Sequence, residues 1–104
     1  MTAELMPRIL IVGAGGIGGL TFDLVVPALE KVGQKCSITV MDGDTVEASN
    51  LGHQRFSSAD IGSFKTTALV QKYKSFKNVY CVSDTENLRV EEQLQGFDYI
   101  IIGV

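Results

Sequence analysis

The residues Gly13-Ala14-Gly15-Gly16-Ile17-Gly18 follow the apolar run Ile9-Leu10-Ile11-Val12 and precede a stretch with helical spacing. A G-x-G-x-x-G loop in that setting lets backbone amides and a helix N-terminus approach phosphate, which makes Gly13, Gly15, Gly16 and Gly18 candidates for nucleotide binding. A tight turn without a ligand uses the same glycines, but the strand–loop–helix context favours the nucleotide. A Walker A loop is excluded, because Gly19-Leu20 stands where Lys-Ser/Thr is required. An acid at the end of the second strand would hydrogen-bond ribose hydroxyls, and Asp42 holds that place with Asp44 beside it. Asp42 lies 29 residues beyond Gly13, where ~20 is usual, so the first helix and its exit carry about two extra turns. Plain turn chemistry in Asp42-Gly43-Asp44 is the competing reading.

The elements that must position these groups alternate. Pro7 to Val12 reads as a strand buried on both faces. Leu20, Leu24, Val25, Ala28, Leu29 and Val32 recur at helical spacing, with Gly33 able to end the helix in a left-handed conformation and Pro27 expected to kink or split it. Ser37 to Met41 is a second strand, residues 43–62 a long ordered loop, and Lys65 to Phe76 a second helix. Asn78 to Val82 is a third strand, Glu86 to Leu94 a third helix and Phe97 to Val104 a fourth strand. The order predicts a Rossmann-like, doubly wound α/β fold with a mainly parallel sheet. With strand order 3-2-1-4, the glycine loop, Asp42 and the end of strand four meet at one crevice.

Bulk properties narrow the function. The 104 residues are 45% hydrophobic and 20% charged, an ordinary globular composition for a single domain. A formal charge of −3 with nine scattered Lys and Arg leaves no basic face for nucleic acid. No apolar run nears the ~20 residues that span a bilayer, so a cytoplasmic protein without membrane contact is expected. Cys36 and Cys81 show no CxxC spacing and read as buried thiols rather than as a disulfide or zinc ligands.

The stretch Asp42-Gly43-Asp44-Thr45-Val46-Glu47-Ala48-Ser49-Asn50-Leu51-Gly52-His53-Gln54-Arg55-Phe56 resembles the D-x-D-x-V-x-x-S-N-L-x-R-Q of the ThiF/MoeB/HesA and ubiquitin-activating family, and Asp60-Ile61-Gly62-Ser63-Phe64-Lys65 resembles its D-I-G-x-x-K. With the glycine loop these cover nearly the whole chain in order, so residues 1–104 read as the N-terminal part of a ThiF-type ATP-binding domain. The resemblance implies use of Mg²⁺-ATP to adenylate the C-terminal carboxylate of a ubiquitin-like or sulfur-carrier protein, with release of pyrophosphate. It implies that Asp42 holds ribose, that Asn50 and Gln54 order the nucleotide, and that Lys65 neutralises phosphate charge. Fixed cations and Mg²⁺ are needed because a carboxylate attacking phosphate brings anions together. Lys65 in the first turn of a helix opposes the helix dipole, a conflict that a phosphate partner relieves.

Two departures from the pattern bear on the site. The family's arginine falls on His53, while Arg55 lies two positions later. Arg55 is favoured as the phosphate cation because a guanidinium is permanently charged and bidentate. The resemblance also implies a homodimer that lends an arginine across subunits, whereas only seven residues precede strand one here apart from Arg8 at its start. In relatives the fourth strand has the form D-x-x-x-x-x-x-D-N; with Asp98 as its first aspartate, the metal-binding acid falls just after Val104. No metal ligand is therefore assigned within the chain, and residues 1–104 alone are expected to be catalytically silent. A nicotinamide-dependent oxidoreductase would explain the glycine loop and Asp42 but not Asn50, Gln54 or Lys65. A non-catalytic relative that binds a nucleotide or a partner protein is the remaining alternative.

Overall fold

The computed structural model describes residues 6–52 and 54–103. Four strands, β1 (Arg8–Val12), β2 (Cys36–Met41), β3 (Val79–Asp84) and β4 (Tyr99–Ile102), form one parallel sheet in the order β3-β2-β1-β4. The expected strand order is thus the observed one, in a Rossmann-like α/β arrangement. Two helices, α1 (Gly16–Val32) and α2 (Lys65–Gln71), lie between the strands in sequence.

The continuous apolar runs of β1 and β2 have a direct cause in packing. Ile11, Ile38 and Val40 face one layer with Phe22 and Val26 of α1 and Leu69 of α2, all fully buried. Leu10, Val12 and Met41 point to the other face, where Leu88, Leu94 and Phe97 cover them. Strands buried on both faces have no polar side to alternate with. β4 differs: it pairs with β1 alone, and Tyr99, Ile100, Ile101 and Ile102 are all exposed.

Pro27 does not split α1, which runs unbroken over 17 residues and ends at Gly33 in the left-handed conformation, φ 76°. The second helix is shorter than its periodicity suggested. It stops at Gln71, and Tyr73 and Phe76 follow in tighter turns, their amides bonded to the Val70 and Tyr73 carbonyls at 3.0 Å. Those turns bring the Tyr73 ring to 5.8 Å from Phe22 and 5.1 Å from Phe76.

The helix expected over Glu86–Leu94 is not formed; only Glu91–Leu94 makes a 3₁₀ turn. Gln93 Oε1 accepts from the Arg89 and Val90 amides at 2.6 and 3.0 Å. The Val90 amide is one that a helix from Glu86 would give to the Glu86 carbonyl, so this side-chain acceptor competes directly with helical hydrogen bonding. Asp84 Oδ1 accepts from the Glu86 amide at 3.0 Å in the turn after β3.

Candidate nucleotide site

The chain leaves β1 through Gly13, whose φ of 102° lies in the region that only glycine enters freely. Its amide donates to the Met41 carbonyl at 2.8 Å, so the loop is fastened to the end of β2. At Gly18 a Cβ would overlap the Gly13 carbonyl and crowd the Gly103 carbonyl, so the end of β4 packs directly on the first turn of α1. Among the described residues no side chain caps the N-terminus of α1, and its first turn holds no acidic residue, which leaves amide ends that can receive an anion.

Asp42 closes this corner. Its Oδ2 accepts from the Ala14 amide and its Oδ1 from the Asp44 amide, each at 2.8 Å. One carboxylate thus ties the glycine loop to the turn after β2, and each oxygen keeps a lone pair for a further donor.

The long loop returns to the same place because it zips onto itself. Thr45 and Phe64 form an antiparallel bridge, Val46 donates to Ser63 at 2.8 Å, and Gly62 donates to Val46 at 2.9 Å. The Lys65 amide then donates to the Asp44 carbonyl at 3.0 Å. This pairing brings the D-x-D and D-I-G-x-x-K stretches together. The Lys65 side chain is only 9% exposed, and among the described residues its one carboxylate within ion-pair range is Asp44, 67% exposed and 4.0 Å away.

The resulting cleft has a volume of about 440 Å³ and is lined by Gly13, Gly15, Gly16, Ile17, Asp42, Asp44, Lys65 and Gly103. Asp44 also borders two adjoining recesses. One, of about 350 Å³, adds the apolar side chains of Val12, Met41, Leu88 and Ile102, together with Asn87. The other, of about 320 Å³, contains Asn50 and Lys65. Asn50 is held there by its Oδ1, which accepts from the Glu47 amide at 2.8 Å.

Gln54 stands against the glycine loop from above: its Oε1 lies 2.8 Å from where a Cβ on Gly15 would be. That oxygen is buried and has no hydrogen-bond partner among the described residues. His53 lies outside the described residues. Arg55 does not line the cleft; its Nε is 2.8 Å from Asp23 Oδ2, and it borders a separate polar cleft of about 610 Å³ with Asp23, Gln54, Lys72 and Tyr73. The phosphate contact expected of Arg55 therefore meets a competing partner in Asp23. Burial raises the pKa of the Tyr73 phenol, and its hydrogen bond to Asp23 and the charge of that carboxylate raise it further.

Two residues of the neighbourhood had escaped the sequence reading. Asn87 Oδ1 accepts from the Gly43 amide at 2.8 Å and so braces the turn that carries Asp42 and Asp44; nothing in its local pattern marks it. Asp23 did carry a signal, as a lone acid between Phe22 and Leu24. The two cysteines are free thiols. Burial raises the Cys36 pKa and, with the nearby Cys36 and Glu30, pushes Cys81 up to about 12, so neither offers a ready thiolate.

Residues 5–104 match the ThiF family. Among solved structures, E. coli tRNA N6-threonylcarbamoyladenosine dehydratase, TcdA, in complex with ATP is similar with a TM-score of 0.76 and 20% identity, over 94% of this chain and 41% of that one. At that identity the likeness speaks for the fold alone. PaaA aligns with a TM-score of 0.71 and 26% identity, over 92% of this chain and 30% of its own. E. coli MccB with succinimide gives 0.67 and 26%, over 85% and 26%. The chain thus spans less than half the length of these relatives. No curated protein matches it.

Proposed function

The chain belongs to the ThiF family, and we propose that it forms the ATP-binding part of an enzyme that adenylates the C-terminal carboxylate of a ubiquitin-like or sulfur-carrier protein. In that reaction a substrate carboxylate oxygen bonds to the α-phosphorus, the bond to the bridging oxygen breaks, and pyrophosphate leaves with the electron pair. The observation that carries the reading is Lys65, a nearly buried cation that shares one cleft with the glycine loop and, among the described residues, has one carboxylate within ion-pair range, the exposed Asp44 at 4.0 Å.

Each residue has a task that follows from its surroundings. The glycine-loop amides and the α1 N-terminus bind phosphate oxygens. Asp42 accepts from the ribose hydroxyls with the lone pairs its two backbone donors leave free. Val12, Met41, Leu88 and Ile102 offer an apolar compartment for the adenine ring. Lys65 stabilises the charge that grows on the departing pyrophosphate, in a site where partial exclusion of water strengthens the interaction. Gln54 presents a buried acceptor oxygen in need of a donor.

Mg²⁺ fits this cleft in a limited way. No group of three or more His, Cys, Asp or Glu capable of holding a metal stands among the described residues. Mg²⁺ commonly takes one or two carboxylates and completes its shell with phosphates and water, a role open to Asp44 at the cleft mouth. When bound, it would neutralise phosphate charge and orient the leaving group.

Calorimetric titration with ATP and with NADH tests the reading. ATP is expected to bind and NADH not to; the reverse preference would return the chain to the nicotinamide class, which leaves Lys65 without a task.

A further inference from the structure

Asp23 is a charged residue with no part in the nucleotide cleft. It sits on α1 between the fully buried Phe22 and the 61%-exposed Leu24, and its side chain is only 6% exposed. A carboxylate this far out of water persists only where donors replace its lost hydration. Three do so: Arg55 Nε at 2.8 Å and Lys72 Nζ at 2.7 Å on Oδ2, and the Tyr73 hydroxyl on Oδ1. Tyr73 keeps its proton to donate, because burial and Asp23 itself both disfavour the phenolate.

Lys72 and Tyr73 already tie α1 to the turn after α2, which is all an architectural carboxylate requires. Arg55 adds something different. It is the neighbour of Gln54, whose amide group lies against Gly15. The Gln54 backbone is held upstream by its own amide, which donates to the Asn50 carbonyl at 2.9 Å, and downstream by Asp23 through Arg55. Among the described residues the Gln54 Oε1 has no hydrogen-bond partner, so these two backbone ties are what the described structure offers to hold it over the glycine loop. We propose that Asp23 is a positioning residue: by holding Arg55 it fixes Gln54 over the glycine loop, and so sets the nucleotide affinity of a cleft it never touches. The inference deepens the ATP reading of that cleft and rests on it for its functional consequence.

Asp23→Asn keeps the side chain's shape and removes its charge. Amide hydrogen exchange on the ligand-free chain reads the latch without any nucleotide. Exchange at residues 50–55 is expected to speed up about tenfold or more while β1 and β2 keep their protection. Calorimetry then compares ATP affinity in the wild type, Asp23→Asn, Gln54→Ala and the double variant. Asp23→Asn is expected to weaken ATP about fivefold or more, and Gln54→Ala to cost affinity in the wild type but nothing further beside Asp23→Asn. A merely structural Asp23 would give losses that add. If β1 and β2 also lose protection, Arg55→Ala breaks the same contact from its exposed side and leaves Lys72 and Tyr73 on Asp23; the same loosening and the same coupling to Gln54 are expected of it. Unchanged exchange at 50–55 in that variant, or additive affinity losses, overturns the proposal. A wild type that binds no ATP overturns the ATP reading, while the exchange experiment still decides the latch.

Discussion

Lys65 and Arg55 both stand on or just after the long loop that follows β2, yet their surroundings are opposite. The Lys65 side chain is 9% exposed, and the one carboxylate within ion-pair range among the described residues, on the exposed Asp44, is 4.0 Å away. Arg55 is 48% exposed and lies 2.8 Å from a buried carboxylate that also binds Lys72 at 2.7 Å. Burying a cation without a close partner is costly, which supports the proposal that Lys65 serves an anionic ligand. Arg55 already has a close partner in a buried carboxylate, which supports the proposal that it acts through Asp23. The two proposals set a charge for the ligand against a charge that positions its neighbours.

The sharpest way to break this contrast is Lys65→Met, which keeps the bulk of the buried stem and removes the charge. In a version extended past Val104 through the expected metal-binding acid, the adenylation rate should fall by about 10²-fold or more, as for loss of a charge acting on a leaving group, with the melting temperature nearly unchanged. Undiminished ATP–pyrophosphate exchange at saturating ATP would show that Lys65 does not serve the ligand.

Asp42→Asn comes next. An amide in that place can accept through only one of the two atoms that now receive the Ala14 and Asp44 amides, so ATP affinity should drop by about 1.5–3 kcal/mol. Equal binding of ATP and 2′-deoxy-ATP to the wild type would remove the ribose from the argument and leave Asp42 as a brace.

On the other side of the comparison, Asp23→Ala should cost stability. The value expected is about 1–3 kcal/mol, between an exposed pair and a fully buried one, because Arg55 and Lys72 regain water once released. Urea unfolding measures it, and Lys65→Met should cost less than Asp23→Ala in the same assay. A reversed order would dissolve the distinction between the two charges.

The smallest effect concerns pH. The Tyr73 phenol titrates higher in the folded chain than in the unfolded one. Above pH ~10 the unfolded chain therefore gives up a proton that the folded chain retains, and stability falls as pH rises. In Asp23→Ala the hydrogen bond and the neighbouring charge are gone, so the fall should be shallower. Melting temperatures from pH 8 to 11, with phenolate absorbance recorded alongside, would detect it. An equal slope in both proteins would leave burial as the only cause of the raised Tyr73 pKa.

The parts of this chain that could be read from its sequence are those with short-range causes. The parallel sheet follows from apolar runs and alternation along the chain, while its 3-2-1-4 order and the placing of the glycine loop beside Asp42 came from the doubly wound class that such alternation suggests. The helix expected over 86–94 does not form because the pattern of residue types there says nothing about the Gln93 side chain that takes the Val90 amide. The second helix is shorter than expected because Tyr73 keeps helical spacing while it turns toward Phe22, and Phe76 packs on Tyr73.

For the site, the glycine pattern and an acid at the end of the second strand were enough to nominate Gly13 and Asp42, whereas Lys65 was nominated by the resemblance of Asp60-Ile61-Gly62-Ser63-Phe64-Lys65 to a family motif. Which cation faces which anion was a different kind of question. Asp23 meets donors 49 and 50 residues away, and a side chain's direction over that distance depends on packing rather than on spacing. Only the tertiary structure, by bringing α1, the 48–55 loop and the turn after α2 to one point, decided that Arg55 turns to Asp23 while Lys65 is left to the cleft. Hydrogen bonds and ion pairs reach a few ångströms in space, and the chain alone does not record which distant residues come that close.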